Sequence, residues 1–249
     1  MEKSIGKAEK MFPAILLSGP RQAGKTTLLK EMKKNITYVT LDDPILLRMA
    51  REEAGTFFKT MPPPLIVDEI QYAPNLFAYI KMYADETRKR GQFYLTGSQQ
   101  FTMMKNVGES LAGRIGILNL LGLSMREIYG VNFHEPFLPS AEYFERRKEK
   151  TVTIPFKDVW KIIHKGSMPA MHSSEIDWQL YYSSYTKTYI ERDVRDLTHI
   201  GDEVRFVKFM TVVAGNTGNL LNCASIARDI GVSQPTVERW ISILKSSNI

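Results

Sequence analysis

Gly19-Pro20-Arg21-Gln22-Ala23-Gly24-Lys25-Thr26 reads G-x-x-x-x-G-K-T, a spacing whose chemistry is the capture of phosphate. The glycines let the backbone wrap tightly round an anion. The amides of the loop and of the helix that follows then point at phosphate oxygens. Lys25 is placed to reach the β- and γ-phosphates, and the Thr26 hydroxyl to hold magnesium. The expected nucleotide-binding run is therefore Gly19, Pro20, Arg21, Gln22, Ala23, Gly24, Lys25, Thr26 and Thr27. A second chemical stretch is Leu65-Ile66-Val67-Asp68-Glu69, an apolar run that ends in two acids 43 residues after Lys25. At the carboxyl end of a buried strand the first acid, Asp68, suits magnesium. The second, Glu69, suits a general base that polarises an attacking water. A third is Thr96-Gly97-Ser98-Gln99. There Ser98, with Gln99 behind it, is the polar residue expected to touch the γ-phosphate or the water.

The elements between these stretches must position them. Ala14–Ser18 is a short apolar run fit for a buried strand, and residues 26–34 (TTLLKEMKK) read as a helix with basic residues in its last turn. Residues 36–41 (ITYVTL) read as a second strand. Asp42-Asp43-Pro44 then breaks that strand and caps a helix. Leu65–Asp68 is a third strand, residues 75–90 a helix, residues 92–95 a fourth strand, residues 106–112 a short helix and residues 115–121 a fifth strand. This alternation predicts an α/β fold with a parallel sheet and helices on both faces. Ser124 to Glu127 reads as a capping box.

Residues 131–155 carry three prolines and the charged run ERRKEK, and are expected to be an irregular linker between domains. Beyond them the pattern is helical. Trp178, Tyr181, Tyr182, Tyr185 and Tyr189 recur at helical spacing, which predicts a packing face and not a ligand box. In residues 191–196 (ERDVRD) the charges are expected to pair along the helix, Arg192 with Asp196 for example. The last stretch has helix-turn-helix spacing, with a turn at Gly231, Ser233 as N-cap and Pro235 in the first turn of a second helix. Gln234, Thr236 and Arg239 would face DNA in such a reader. Yet residues 220–249 hold only Arg228, Arg239 and Lys245 against Asp229 and Glu238. Few phosphate contacts predict weak DNA binding, and a docking role for a protein partner is as open as DNA. The expected boundaries are 1–130 for the phosphate-binding domain, 131–155 for the linker, 156–218 for a helical lid and 219–249 for the helix-turn-helix.

The composition bounds the function class. The chain has 249 residues, of which 43% are hydrophobic and 24% charged, typical of a globular protein. Its net charge is +6, but residues 1–130 carry 18 Lys/Arg against 13 Asp/Glu, so much of the excess lies beside the phosphate loop. No apolar run is long enough to span a bilayer, and no signal peptide is recognisable at the amino end. One cysteine, Cys223, permits no internal disulfide, and His134, His164, His172 and His199 have no zinc spacing. These points predict a cytoplasmic protein with no membrane partner.

Taken together, GPRQAGKTT, LDDP, LIVDEIQ, LTGSQ and LAGR resemble the prokaryotic AAA+-type P-loop ATPases, densely over residues 12–130 and more loosely beyond. The resemblance implies ATP and Mg2+ as ligands and a sheet of order 5-1-4-3-2. It implies Ser98 as a sensor of the terminal phosphate and Arg114 as an arginine finger acting on a neighbouring subunit of a homo-oligomer. Such fingers are worth roughly 10³–10⁵ in turnover, so an isolated subunit would be slow. Arg114 capping its own loop is the competing reading. Relatives of this type continue past the helix-turn-helix into a nuclease-like domain, whereas this chain stops at Ile249 with an incomplete winged helix, so it reads as a fragment or a short member. The leading expectation is ATP hydrolysis, with catalytic residues Glu69, Lys25, Ser98 and Arg114 and magnesium on Thr26 and Asp68. The alternatives are a nucleotide-gated binding module and a DNA-binding regulator with little turnover. No N-K-x-D guanine signature is present. An acid directly after the magnesium aspartate suits water better than a kinase acceptor.

Overall fold

The computed structural model describes residues 1–97, 111–173, 175–189 and 203–247. Five strands form one sheet: β1 (Ala14–Ser18), β2 (Thr37–Thr40), β3 (Leu65–Asp68), β4 (Phe93–Gly97) and β5 (Ile115–Asn119). Their order is β2-β3-β4-β1-β5, parallel at every pairing. This is the expected 5-1-4-3-2 order seen from the other edge.

Alternation along each strand sends successive side chains to opposite faces, and both faces are covered. Ala14, Leu16, Leu65, Val67, Phe93 and Leu95 pack against α3 (Pro44–Glu52), α4 (Ala54–Thr60) and α5 (Leu76–Thr87) through Ala50, Phe57, Leu76, Phe77 and Ile80. Ile15, Leu17, Ile66 and Tyr94 pack against α1 (Glu2–Ala8) and α2 (Lys25–Met32) through Ile5, Ala8 and Leu29. Continuous apolar runs such as AILL and LIV are what burial on both faces selects. Asp43 caps α3 as its sequence implied, accepting from the amides of Ile45 and Leu46 at 2.8 and 3.3 Å, with Pro44 in the first turn. Ser124 and Glu127 make the expected capping box at the start of α6 (Met125–Ile128).

Residues 131–155 depart from the irregular linker expected of them. They contain α7 (Ala141–Lys148), whose Ser140 hydroxyl accepts from the Tyr143 amide at 3.3 Å. Phe133, Phe137, Tyr143 and Phe144 form a chain of edge-to-face contacts with centroids 5.5–6.3 Å apart. This small cluster anchors a helix whose charged run faces water.

The helical part continues with α8 (Phe156–Lys165), α9 (Ala170–Ser173), α10 (Trp178–Tyr189), α11 (Glu203–Gly215), α12 (Cys223–Ile230) and α13 (Gln234–Ser246). It has its own core, in which Tyr189, Phe206, Phe209, Ile226, Ile230, Val237 and Trp240 come together. Helix α12 ends at Gly231 with φ +80°, and Ser233 opens α13 with Pro235 in its first turn. Ser98, Gln99, residues 106–110 of the expected short helix and the 191–196 run lie outside the described residues.

Candidate nucleotide site

The P-loop leaves the carboxyl end of β1, the strand between β4 and β5. Gly19 has φ +146°, and a Cβ built on it would sit 2.0 Å from the backbone oxygen of Leu120. The loop must pass this close because Leu120 also pairs with β1, donating its amide to the Ser18 carbonyl at 2.8 Å. Gly24 is the N-cap of α2, in the left-handed region at φ +89°, and no side chain caps the first turn. The amides there remain directed along the helix axis, where the dipole favours an anion. Gly19→Ala is therefore expected to shift the loop and weaken nucleotide binding, by contrast with Gly6→Ala on α1, where nothing lies within 4 Å. Titration of both variants with a fluorescent ATP analogue checks this; equal affinities would sink the steric account.

Lys25 is 8% exposed. Its ammonium donates to the Gly19 carbonyl at 2.9 Å and the Pro20 carbonyl at 2.7 Å, folded back into the loop it serves. The Thr26 hydroxyl donates to the Asp68 carboxylate, 3.0 Å from each oxygen. Asp68 also accepts from Tyr38 at 2.9 Å and from Thr96. Tyr38 and Thr96 went unpredicted. They sit on the two strands that flank β3, where Thr96 is fully buried. Burial, and next the carboxylate it donates to, push the Tyr38 phenol up to about 12, so it stays a donor.

Glu69 follows immediately, with φ +58°. A non-glycine residue in this region is strained, and such strain gathers at functional sites. Glu69 is the N-cap of a 3-10 turn, Ile70–Tyr72. Gln71 comes back from that turn and its amide donates to the Glu69 carboxylate. Burial raises the Glu69 carboxyl above its usual range, and the Asp68 charge adds to this. The Gln71 hydrogen bond and the Arg21 and Lys25 charges act the other way.

These residues surround a cleft of about 500 Å³ lined by Arg21, Gln22, Gly24, Lys25, Thr26, Thr27 and Glu69 from the sheet domain. Tyr185 and Thr188 of α10 complete it. The aromatic stripe packs as expected at Tyr189, inside the helical core, and at Tyr185, which packs against that core; Tyr185 also lines the cleft. Arg114 is not brought here. Its guanidinium pairs with Asp85 of α5 at 2.5 and 3.1 Å and also donates to the Ala112 carbonyl. Its own carbonyl pairs with Ala14 at the start of β1, roughly 13 Å from the P-loop end of that strand at about 3.3 Å per residue.

A hydroxyl and a carboxylate held together on the rim of an anion-binding loop are hard oxygen donors, the set that Mg2+ takes from a protein when phosphates supply the rest. Thr26 and Asp68 fit it. Among the described residues no group of three or more His, Cys, Asp or Glu side chains forms a metal-binding cluster, and no helix is long and apolar enough to cross a membrane.

Residues 11–129 match a family described as an AAA domain. Residues 156–249 match a domain of unknown function (DUF8612). Two curated relatives, the proteins named uncharacterized protein Rv2008c of Mycobacterium tuberculosis and uncharacterized protein Mb2031c of Mycobacterium bovis, are each 27% identical over 237 residues. The alignments cover 93% of this chain and 47% of each relative, so the chain spans about half their length. Among solved structures, the Walker-type ATPase paby2304 of Pyrococcus abyssi superposes with a TM-score of 0.59 at 15% identity, covering 99% of this chain and 88% of that one. At that identity the likeness is one of fold. With the GxxxxGKT loop on a central strand and the acid pair at the end of β3, residues 11–129 are similar to an AAA domain, and the chain shares the α/β fold of a Walker-type ATPase.

Proposed function

We propose that the chain is a magnesium-dependent ATPase whose nucleotide cycle moves the helical region. The observation that carries this reading is the placing of Lys25 and Glu69 on one cleft, with Thr26 bonded to Asp68 at its rim. Lys25 and the loop amides hold the triphosphate. Thr26 and Asp68 hold Mg2+, which when bound supplies charge neutralisation at the β- and γ-phosphates. Tyr38 and Thr96 orient the Asp68 carboxylate by donating to it. Glu69 accepts a proton from the water that attacks the γ-phosphorus as the bond to the β–γ bridging oxygen breaks. Gln71 holds Glu69 in place. The AAA family of residues 11–129 supports ATP as the substrate.

Arg114 lies too far from its own P-loop to serve it and is one-third exposed, so its proposed role is in a neighbouring subunit's site, after release from Asp85. The test is ATPase rate against protein concentration. Specific activity should rise steeply, and Arg114→Ala should flatten it by roughly 10³-fold at high concentration if the residue is a finger. A flat wild-type profile removes the trans role and leaves Arg114 as a clamp between α5 and the start of β5.

DNA reading through 219–249 is the weaker proposal. Gln234 donates to Glu238 at 2.8 Å on the exposed face of α13. A carboxylate beside the candidate base-reading groups repels phosphate.

A further inference from the structure

We infer that α10 reads the terminal phosphate, with Tyr185 as the contacting residue and the Tyr181–Gln22 hydrogen bond as the clasp that holds the helix to the P-loop. The inference rests on the reading of the cleft as an ATP site, and it names what distinguishes ATP from ADP there.

Three observations meet at this wall. The Tyr181 hydroxyl donates to the Gln22 side-chain oxygen at 2.5 Å, joining residues 159 positions apart. Gln22 belongs to the phosphate loop and has φ +59°, so its side chain leaves the loop at a fixed angle. Tyr185 is one helical turn beyond Tyr181, their rings stacked at 6.3 Å and 25°. Residues four apart share a helix face, so the clasp at Tyr181 delivers Tyr185 to the same side.

The chemistry of the cleft says which part of the ligand Tyr185 meets. It lines one cleft with Arg21, Lys25 and Glu69, as do Gly24, Thr26 and Thr27; Lys25 and Glu69 are the residues that the ATPase reading sets against the terminal phosphate and the water. A phenol at such a place is a donor to a phosphate oxygen, a bond of the charge-assisted kind. Thr188, one turn further, lines the same wall. The next residue, Tyr189, is buried in the helical core with Phe206, Phe209 and Trp240. One helix therefore has its middle in the nucleotide cleft and its end in the core of the helical region. A triphosphate engages it, and loss of the terminal phosphate releases that contact and loads the Tyr181–Gln22 clasp alone.

The experiment is a titration of the full chain with fluorescent ATP and ADP analogues in the presence of Mg2+, for wild type, Tyr185→Phe and Tyr181→Phe. Tyr185→Phe keeps the ring stack and removes only the hydroxyl. ATP affinity should fall by about tenfold or more, the worth of one hydrogen bond to a charged group. ADP affinity should stay within about twofold, which also shows that the site is folded. Tyr181→Phe should give an ATP-selective loss of the same sign and smaller size. Gln22→Ala combined with Tyr181→Phe should add little to either single variant, because both remove one bond. Equal losses for ATP and ADP would place Tyr185 against a part of the ligand that ADP shares and overturn the inference, as would an unchanged ATP affinity. A wild-type chain that binds neither nucleotide overturns this inference and the ATPase reading together. Binding of both nucleotides with no response to either tyrosine variant overturns this inference alone.

Discussion

Lys25→Ala is expected to lose nucleotide while keeping its fold. The ammonium is buried in the loop and bonded to two carbonyls, those of Gly19 and Pro20, so the side chain is already ordered beside the cleft it lines and exchanges those bonds for phosphate on binding. With a triphosphate present the same group would make charge-assisted bonds to phosphate oxygens, each worth about 1.5–3 kcal/mol. Removing it should therefore weaken ATP by about 100-fold or more. The cost to stability should be about 1–3 kcal/mol, because the two carbonyls it leaves unpaired belong to buried residues. The measurement is ATP-analogue affinity alongside a thermal melt. An affinity within about threefold of wild type would sink the P-loop assignment, whatever else the chain does. Loss of the melt would show instead that Lys25 acts on the loop's structure.

The parts of this site that were legible are the parts encoded locally. GxxxxGKT carries its own geometry, since Gly19 must pass close to the Leu120 carbonyl and Gly24 must adopt a left-handed N-cap. Alternating apolar runs and caps are enough for an α/β layer structure, and Asp43-Pro44 and Ser124–Glu127 cap the helices they were expected to cap. Sheet order came from resemblance, because periodicity fixes which residues face the core and says nothing of which strands are neighbours.

What was not legible depends on register between distant strands or on packing between distant helices. Tyr38 and Thr96 reach Asp68 because β2 and β4 flank β3 with Thr40 opposite Asp68 and Leu95 opposite Val67. Nothing local to either residue announces this. Gln71 reaches Glu69 because the strand stops at Asp68 and a 3-10 turn follows; read as a continued strand, alternation would place them otherwise. The tyrosine stripe is the plainest case. Spacing at i, i+3 and i+4 serves a packing face and a cleft wall equally well. Tyr189 lies in the helical core and Tyr185 packs against that core while also lining the cleft, and only the long-range Tyr181–Gln22 contact sets this helix beside the P-loop. The helix inside 131–155 was hidden for a different reason. Its packing is a set of four aromatic rings in contact, which prolines and charge obscure in the sequence.

Glu69→Gln should separate binding from chemistry. The residue sits at the cleft with a strained backbone and a carboxyl lifted above the usual range, chiefly by burial. A carboxyl raised in this way is a better proton acceptor than an ordinary glutamate. Glutamine keeps the size and can still accept from Gln71 through its carbonyl oxygen. It cannot take a proton from water. Turnover should fall by roughly 10²–10⁴, while ATP affinity stays level or rises as a negative charge leaves the phosphate site. The pH dependence gives an independent reading. The active form is ionised, so wild-type turnover should decline as pH falls through the raised pKa, at a higher pH than an ordinary glutamate would impose. Stability carries the opposite sign. A raised carboxyl pKa makes ionisation costly in the fold, a penalty absent below the unfolded glutamate pKa of about 4.3 and complete above the folded one. Glu69→Gln removes that penalty, so its melting temperature should exceed that of the wild type at neutral pH and converge with it in acid. A variant that hydrolyses ATP at the wild-type rate would remove Glu69 from the chemistry. One that neither turns over nor gains stability at neutral pH would show a base whose carboxylate is already compensated by Arg21, Lys25 and Gln71.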